Sequence, residues 1–206
     1  MPWMRTLLIM SLVTLNAHHV VPASSSNSDQ PPAREKQKPA PERVVVPKDL
    51  IIFDDGDSIG IAWPGKPVEH VRILGIDTPE VLHLDHDIPY PQPFGPEAAA
   101  FIEGCIAQAR KIELLRCGQK DPYGRTLGYV FLDGRNYSPM VIAARLAVES
   151  VTHYGDNGLP EEARACLEAA RKAGPVAFEA PHLYRARMRK VAAWMKKQGI
   201  YPKASR

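Results

Sequence analysis

The chain has 206 residues, of which 45% are hydrophobic and 24% are charged. This composition is typical of a globular protein with room for one ordinary domain and extensions, and its 20 prolines are too many for a helical bundle. The formal net charge of +3 hides an asymmetry, because residues 182–206 contain eight Lys and Arg and no acidic residue. The rest of the chain is therefore mildly acidic and the tail is strongly basic.

The start of the chain has the pattern of a secretory signal. Arg5 precedes the apolar run 6–15, which has the length of a signal h-region and is shorter than the ~20 residues of a membrane-spanning helix. Small residues at 21–23 then precede Ser24. We predict a signal peptide over 1–23, an exported product that is periplasmic or secreted, and no stable membrane span. An irregular cytoplasmic N-terminus is the alternative.

Residues 24–43 are rich in Ser, Pro and charge and have no apolar periodicity, which predicts a disordered linker. The folded domain is expected over 44–178, followed by a basic helical extension over 179–206. The three cysteines form no CxxC pair, so no structural zinc site is indicated. The sequence does not decide whether two of them form a disulfide.

Short β-prone runs alternate with turns through the first half of the expected domain. Short β-prone runs cover 44–46 and 50–53, and predicted strands follow over 58–63, 68–76, 111–116 and 126–132. Predicted helices start near Pro96, cover 138–145 and cover 160–173, with a polar loop over 81–93 and a long turn over 117–125. Counted in order, the pattern is three strands, a helix, two strands and two helices. The order predicts an α+β fold of mainly β type with about three packed helices. A five-stranded OB barrel is the leading candidate.

Five charged residues stand in or beside predicted strands and turns: Asp57, Arg72, Asp77, Glu80 and Arg125. The acids could merely shape turns. Arg72 lies inside an apolar strand, where a guanidinium needs an anionic partner. Together the set offers two carboxylates for a hard divalent cation, a base for water and two arginines for phosphate. Those are the parts needed to hydrolyse a phosphodiester.

Three longer segments carry a family resemblance: VRILGIDTPE at 71–80, FGPEAAAFI at 94–102 and DPYGRTLGYVF at 121–131. With the DGDS turn ahead of them and RLAVES at 145–150 behind, these segments resemble staphylococcal nuclease and its relatives over about residues 44–178. The resemblance implies an OB barrel with three helices.

The resemblance also implies roles for the central residues. Asp57 and Asp77 would be calcium ligands, helped by the backbone carbonyl of Thr78. Glu80 would orient or deprotonate the attacking water.

The phosphate-binding roles implied by the resemblance fall to Arg72 and Arg125, which would also stabilise the transition state. Tyr123 matches a tyrosine that touches a terminal phosphate. Two further tyrosines of the family align near Val151 and His153, so His153 is the substrate-binding candidate there.

The implied activity is a calcium-dependent nuclease that acts on DNA and RNA, prefers single strands and leaves 3′-phosphates; a monomer is expected. The alternative is a non-catalytic OB module that binds single-stranded nucleic acid.

Two other segments of the sequence have more than one interpretation. Residues 83–87 could hold a second metal or form a solvated loop. The helical pattern over 182–199 could bind nucleic acid or anionic lipid, or simply pack with its basic face in solvent.

Overall fold

The computed structural model of the chain describes residues 41–203. The predicted signal peptide over 1–23 and residues 24–40 of the predicted linker lie outside the described residues, so export stays a prediction. The first strand begins at Glu42, just ahead of Val44, the expected start of the folded domain. Within residues 41–203, no helix combines the length and the apolar character needed to cross a membrane.

The strands found in the described part of the chain are mostly short and fall into two sheets. In chain order they are β1 (Glu42–Val45), β2 (Ile51–Phe53), β3 (Ser58–Ile61), β4 (Glu69–Ile73), β5 (Ile76–Asp77), β6 (Ile112–Lys120), β7 (Thr126–Leu132), β8 (Arg135–Asn136) and β9 (Val148–Glu149). The main sheet has the order β1-β6-β7-β4-β3-β2, with β8 paired to β7, and β5 pairs with β9 in a separate sheet.

The main sheet is curled and mixed, since β4 and β7 run parallel while its other pairs are antiparallel. With the helices packed around it, the fold is α+β as predicted and is consistent with an OB-like barrel. The count of five strands is not confirmed. The described main sheet is divided into seven shorter strands, because tight turns interrupt it and β1 is added at its edge.

The break between β4 and β5 positions part of the candidate site. The sequence predicts one strand over 68–76, but Gly75 has a φ of +81°, and a Cβ at this position would lie 2.6 Å from the sulfur of Cys166. Only glycine suits both conditions. The chain therefore leaves the main sheet here, and Asp77 pairs with Val148 of β9.

Five helices complete the described part of the chain: α1 (Gly95–Gln108), α2 (Tyr137–Ala143), α3 (Val151–Tyr154), α4 (Pro160–Ala173) and α5 (Pro181–Lys197). The first, second and fourth lie at the predicted positions, and the fifth lies where the sequence shows a helical pattern over 182–199. The predicted turn over 117–125 is shorter than expected, because β6 continues to Lys120 through an irregularity in its pairing with β7. No disulfide is formed among Cys105, Cys117 and Cys166.

The buried side chains of residues 41–203 form two hydrophobic clusters. The larger one fills the space between the curled sheet and α1, α2 and α4. The smaller one consists of Ile88, Tyr184 and Met188, with Val191 packed against it. It joins α5 to the predicted loop over 81–93, so the basic helix has a defined packing partner.

Candidate active site

Asp57 ends the turn between β2 and β3, and its side chain is buried. The turn is shaped by Asp55, whose Oδ1 accepts a 2.9 Å hydrogen bond from the backbone N of Asp57. Burial and the charge of Asp57 raise the pKa of Asp55 well above its ordinary value. Asp55 is thus an additional carboxylate beside the candidate site, where the sequence indicated only a turn residue.

Asp77 reaches the same place from the end of β5. The backbone N of Thr78 donates a 2.8 Å hydrogen bond to Oδ2 of Asp57, which joins the two segments. Asp57, Asp77 and Thr78 are all buried. The structure therefore brings together the three residues that the sequence predicts as metal ligands.

Arg72 lies between the two carboxylates. One of its terminal nitrogens is 2.5 Å from Oδ1 of Asp57, and the other is 3.2 Å from Oδ1 of Asp77 and 3.0 Å from the carbonyl oxygen of Ile76. Burial acts to lower the pKa of Arg72, but the charges of Asp57 and Asp77 raise it above its ordinary value. Arg72 is therefore always charged. A guanidinium inside an apolar strand was expected to need an anionic partner, and Asp57 and Asp77 are its partners.

Glu80 is half-buried on the segment that follows Thr78. Its backbone is held by Gln92, whose Oε1 accepts a 3.2 Å bond from the Glu80 N–H and whose own N–H donates a 2.7 Å bond to the Glu80 carbonyl. Burial raises the pKa of the Glu80 carboxyl, and this effect outweighs the opposing influence of Arg185. A raised pKa makes a carboxylate a better proton acceptor at neutral pH.

Arg125 approaches the site from the start of β7. Its Nε bonds Oδ2 of Asp121 at 2.7 Å, and one terminal nitrogen donates to Oγ of Ser58 at 3.3 Å. Ser58 in turn donates to Oδ1 of Asp57 at 3.2 Å. Tyr123 is 81% exposed and lies beside Arg125, with its ring centroid 5.8 Å from the guanidinium carbon. Arg125 and Tyr123 are thus placed together at the edge of the acidic cluster.

His153 is not brought into this cluster. It is exposed on α3 and makes an edge contact with the ring of Tyr154, with centroids 4.5 Å apart. Val151 on the same short helix is buried. Of the two positions that align with family tyrosines, only His153 offers a ring to solvent, and Tyr154 adds a second exposed aromatic surface.

The histidine-containing loop is organised by its own contacts. His83 is 2.9 Å from Oδ1 of Asp54 and stacks on His86 with ring centroids 4.2 Å apart. Over residues 41–203, no group of three or more His, Cys, Asp or Glu side chains has the arrangement of a metal site. This result covers residues 83–87 and equally the carboxylates of Asp57 and Asp77, so a metal at either place stays a prediction.

Arg185 is the site residue that sequence reasoning missed. From α5 it donates to both carboxylate oxygens of Asp77, at 3.0 and 3.1 Å, and to Oε1 of Glu80 at 2.5 Å. More than 100 residues separate it from these partners, and it is one of eight basic residues in the tail. Its position in the sequence carries no local signal that distinguishes it from the others.

The donor set suits a hard cation. Asp57 and Asp77 supply carboxylate oxygens, Thr78 can supply a carbonyl, and oxygen ligands of this kind are what calcium takes. Two guanidinium groups, from Arg72 and Arg185, already stand against these carboxylates as positive charges. With only two carboxylates in the ligand set, water and substrate oxygens would have to complete the coordination.

Comparison with known proteins agrees with this geometry. The family described as "Staphylococcal nuclease homologue" matches residues 70–175, about half of the chain. This chain belongs to that family. The matched range contains Arg72, Asp77, Glu80 and Arg125, and Asp57 precedes it.

Similar proteins within this family carry nuclease names. The chain is 34% identical over 119 residues to a protein named "Thermonuclease" from Staphylococcus intermedius, covering 57% of this chain and 65% of that one. It is 35% identical over 94 residues to "Thermonuclease" from Staphylococcus hyicus, covering 45% of this chain and 53% of that one. It is 31% identical over 120 residues to "SPbeta prophage-derived endonuclease YokF" from Bacillus subtilis, covering 55% and 39%. The chain therefore spans less than two thirds of the length of these curated relatives.

Proposed function

We propose that the chain is a nuclease, a hydrolase that cleaves the phosphodiester bonds of DNA and RNA. The observation that carries this proposal is the convergence of five charged side chains from separate elements: Asp57, Arg72, Asp77, Glu80 and Arg125. A structural turn needs none of these charges to be buried, whereas phosphodiester hydrolysis uses all of them. The names of the relatives, thermonuclease and endonuclease, support the same reaction.

Calcium is the proposed cofactor. Asp57 and Asp77 would hold it through carboxylate oxygens, and the carbonyl of Thr78 would add a third ligand. A cation at this place would supply positive charge that stabilises the negative charge developing on the phosphate oxygens. The proposal is supported by the all-oxygen donor set and by the burial of both carboxylates.

The chain's own residues supply the remaining chemistry. Glu80 accepts a proton from the water that attacks phosphorus, which its raised pKa favours. Arg72 and Arg125 donate N–H groups to the non-bridging oxygens and offset the negative charge of the pentacovalent state. The P–O bond to the 5′ oxygen, on the far side from the water, then breaks, and the 5′ oxygen leaves and takes up a proton from solvent. We propose that the phosphate stays on the 3′ oxygen.

Single strands are the proposed preferred substrate. Tyr123 presents an exposed ring beside Arg125, and His153 and Tyr154 present exposed rings on α3. Each base that stacks on an aromatic ring gains about 1–3 kcal/mol, and unpaired bases are free to do so. The same rings also suit the second candidate function, a monomeric OB-like module that binds strands without cutting them.

One digestion experiment separates these two functions. The purified chain is incubated with single-stranded DNA and RNA in calcium, in magnesium and with chelator, beside the variants Glu80→Gln and Arg125→Ala. Glu103→Gln, at an exposed position on α1, is the matched control. We expect calcium-dependent cleavage that falls about 10²–10⁴-fold in Glu80→Gln and is unchanged in the control. Strand binding with no cleavage in any metal would favour the binding module.

A further inference from the structure

The contacts of Arg185 point to a second role for α5. Its guanidinium bonds both oxygens of Asp77 and one oxygen of Glu80, at 2.5–3.1 Å, and its side chain is only 27% exposed. Burial acts to lower the pKa of Arg185, but the hydrogen bond to Asp77 and the charges of Asp77 and Glu80 raise it. A permanent positive charge is thus fixed on a proposed metal ligand and on the proposed base.

The position of α5 does not depend on this contact. The Tyr184 hydroxyl lies 3.0 Å from the carbonyl oxygens of both Tyr90 and Pro91, which share its one proton. Met188 and Tyr184 pack with Ile88 in a separate hydrophobic cluster. Three further hydrogen bonds join the C-terminal segment to the loop over 81–93. They link Lys196 to Asp87, the Tyr201 hydroxyl to the Leu84 carbonyl, and the Gln92 side chain to the Glu179 carbonyl. The Arg185 side chain can therefore change partners while its helix stays in place.

Electrostatics does not allow Arg185 and a divalent cation to share these oxygens without cost. Like charges within about 4–6 Å disfavour one another, and the effect is stronger where water is partly excluded. A cation bound to Asp57 and Asp77 would face the guanidinium that already occupies both oxygens of Asp77. Without a cation, the same carboxylates need a positive partner because buried charges must be paired.

We propose that Arg185 is a built-in competitor of the divalent cation, so that the two are alternative partners of Asp77. This inference rests on the proposed cation site at Asp57 and Asp77. Cation binding then requires the guanidinium to leave the carboxylates, and α5 sets the cation concentration at which the site becomes ready. Because α5 stays packed against Ile88, the released guanidinium remains close to Asp77 and Glu80.

Calcium binding by isothermal titration calorimetry tests the competition without any reliance on activity. The full chain is compared with Arg185→Ala, Arg185→Gln and, as a matched control on the same helix, Arg187→Ala, whose guanidinium contacts Glu179 instead. We expect calcium to bind about five- to tenfold more tightly, or better, to both Arg185 variants, which lies in the usual range for coupling between two sites. Calcium affinity in Arg187→Ala should match that of the wild type.

Thermal melts provide a second measurement on the same proteins. Calcium should raise the melting temperature of each Arg185 variant by more than it raises that of the wild type, since a tighter ligand stabilises the folded state more. The melts without calcium also show whether each variant is folded. Arg185→Lys, which keeps the charge and loses the planar fork, should bind calcium with intermediate affinity.

The two proposals fail in different ways. Calcium affinity that is unchanged or weaker in folded Arg185→Ala, together with wild-type binding that Asp57→Asn abolishes, would overturn the competition and leave the cation site standing. If neither the wild type nor any folded Arg185 variant bound calcium, the cation site and the competition would both be wrong.

Discussion

The backbone N–H of Thr78 donates a 2.8 Å hydrogen bond to Oδ2 of Asp57, a residue 21 positions earlier in the chain. This bond ties the end of β5 to the turn before β3. The carboxylates of Asp57 and Asp77 are therefore placed by backbone geometry as well as by their shared contact with Arg72. The stability of this region and the geometry of the site depend on the same side chain.

Replacement of Asp57 by alanine should accordingly destabilise the fold. Arg72 would lose its closest partner and Thr78 N–H would lose its acceptor, and breaking a buried pair from one side costs about 3–5 kcal/mol. Asp57→Asn keeps an oxygen for Thr78 and should cost less. Urea unfolding gives both values, with Asp49→Ala at an exposed position as the control. Equal losses in the alanine and asparagine variants would contradict the role of the Thr78 bond.

Gly75→Ala tests whether the break between β4 and β5 is required. The left-handed backbone costs any L-residue about 1–2 kcal/mol, and the Cβ would lie 2.6 Å from the sulfur of Cys166. Gly65→Ala is a matched control, because its φ is +69° with nothing within 4 Å of the added Cβ. We expect the free energy of unfolding to fall by about 1–3 kcal/mol more in Gly75→Ala, the usual cost of overpacking. Equal losses would mean that the packing against α4 adjusts freely.

Glu69 should make the fold sensitive to acid. Its hydrogen bond with Arg116, helped by bonds from Trp63 and Thr126, lowers the pKa of the Glu69 carboxyl from 4.5 to about 2, although burial opposes this. A lowered pKa gives stability that is fully present above pH 4.5 and is lost as the pH falls toward 2.

Chemical unfolding of the wild type and of Glu69→Gln across this pH range measures the contribution. The variant should be less stable at neutral pH, and the difference between the two proteins should shrink steadily below pH 4.5. A difference that stayed constant down to pH 2 would show that the carboxylate charge is not what stabilises this group of residues.

We still expect the exposed basic face of α5 to contact nucleic acid. Removal of the whole tail would also uncover Ile88, which packs under α5, so point variants are the cleaner test. Arg189 and Lys190 are both exposed on this helix. Double replacement by glutamine should weaken single-strand binding and reduce the salt slope by up to about 1.4, since each phosphate contact contributes about 0.7. An unchanged affinity and slope would leave α5 with a purely structural basic face.

Much of the architecture could be predicted from the sequence because the signals are local. Hydrophobic periodicity, together with Pro and Gly residues at the helix ends, predicted α1, α2 and α4. β-prone runs separated by turns predicted the meander of β2, β3 and β4. Arg72 inside an apolar strand also indicated a buried anionic partner, and the structure supplies two. The division of the sheet at Gly75 was missed, because its cause is a sulfur atom on α4 that is distant in the sequence.

The sequence by itself determined which residue types stand at the strand ends and turns, and therefore which chemistry the candidate site can offer. Only the tertiary structure decided that Arg185 reaches Asp77 and Glu80, and that the Asp55 carboxylate is half-buried beside Asp57. The physical reason is that periodicity records how a segment lies against the core. It does not record which of several basic side chains on a distant helix meets a buried carboxylate, since that depends on how α5 docks against Ile88 and its loop.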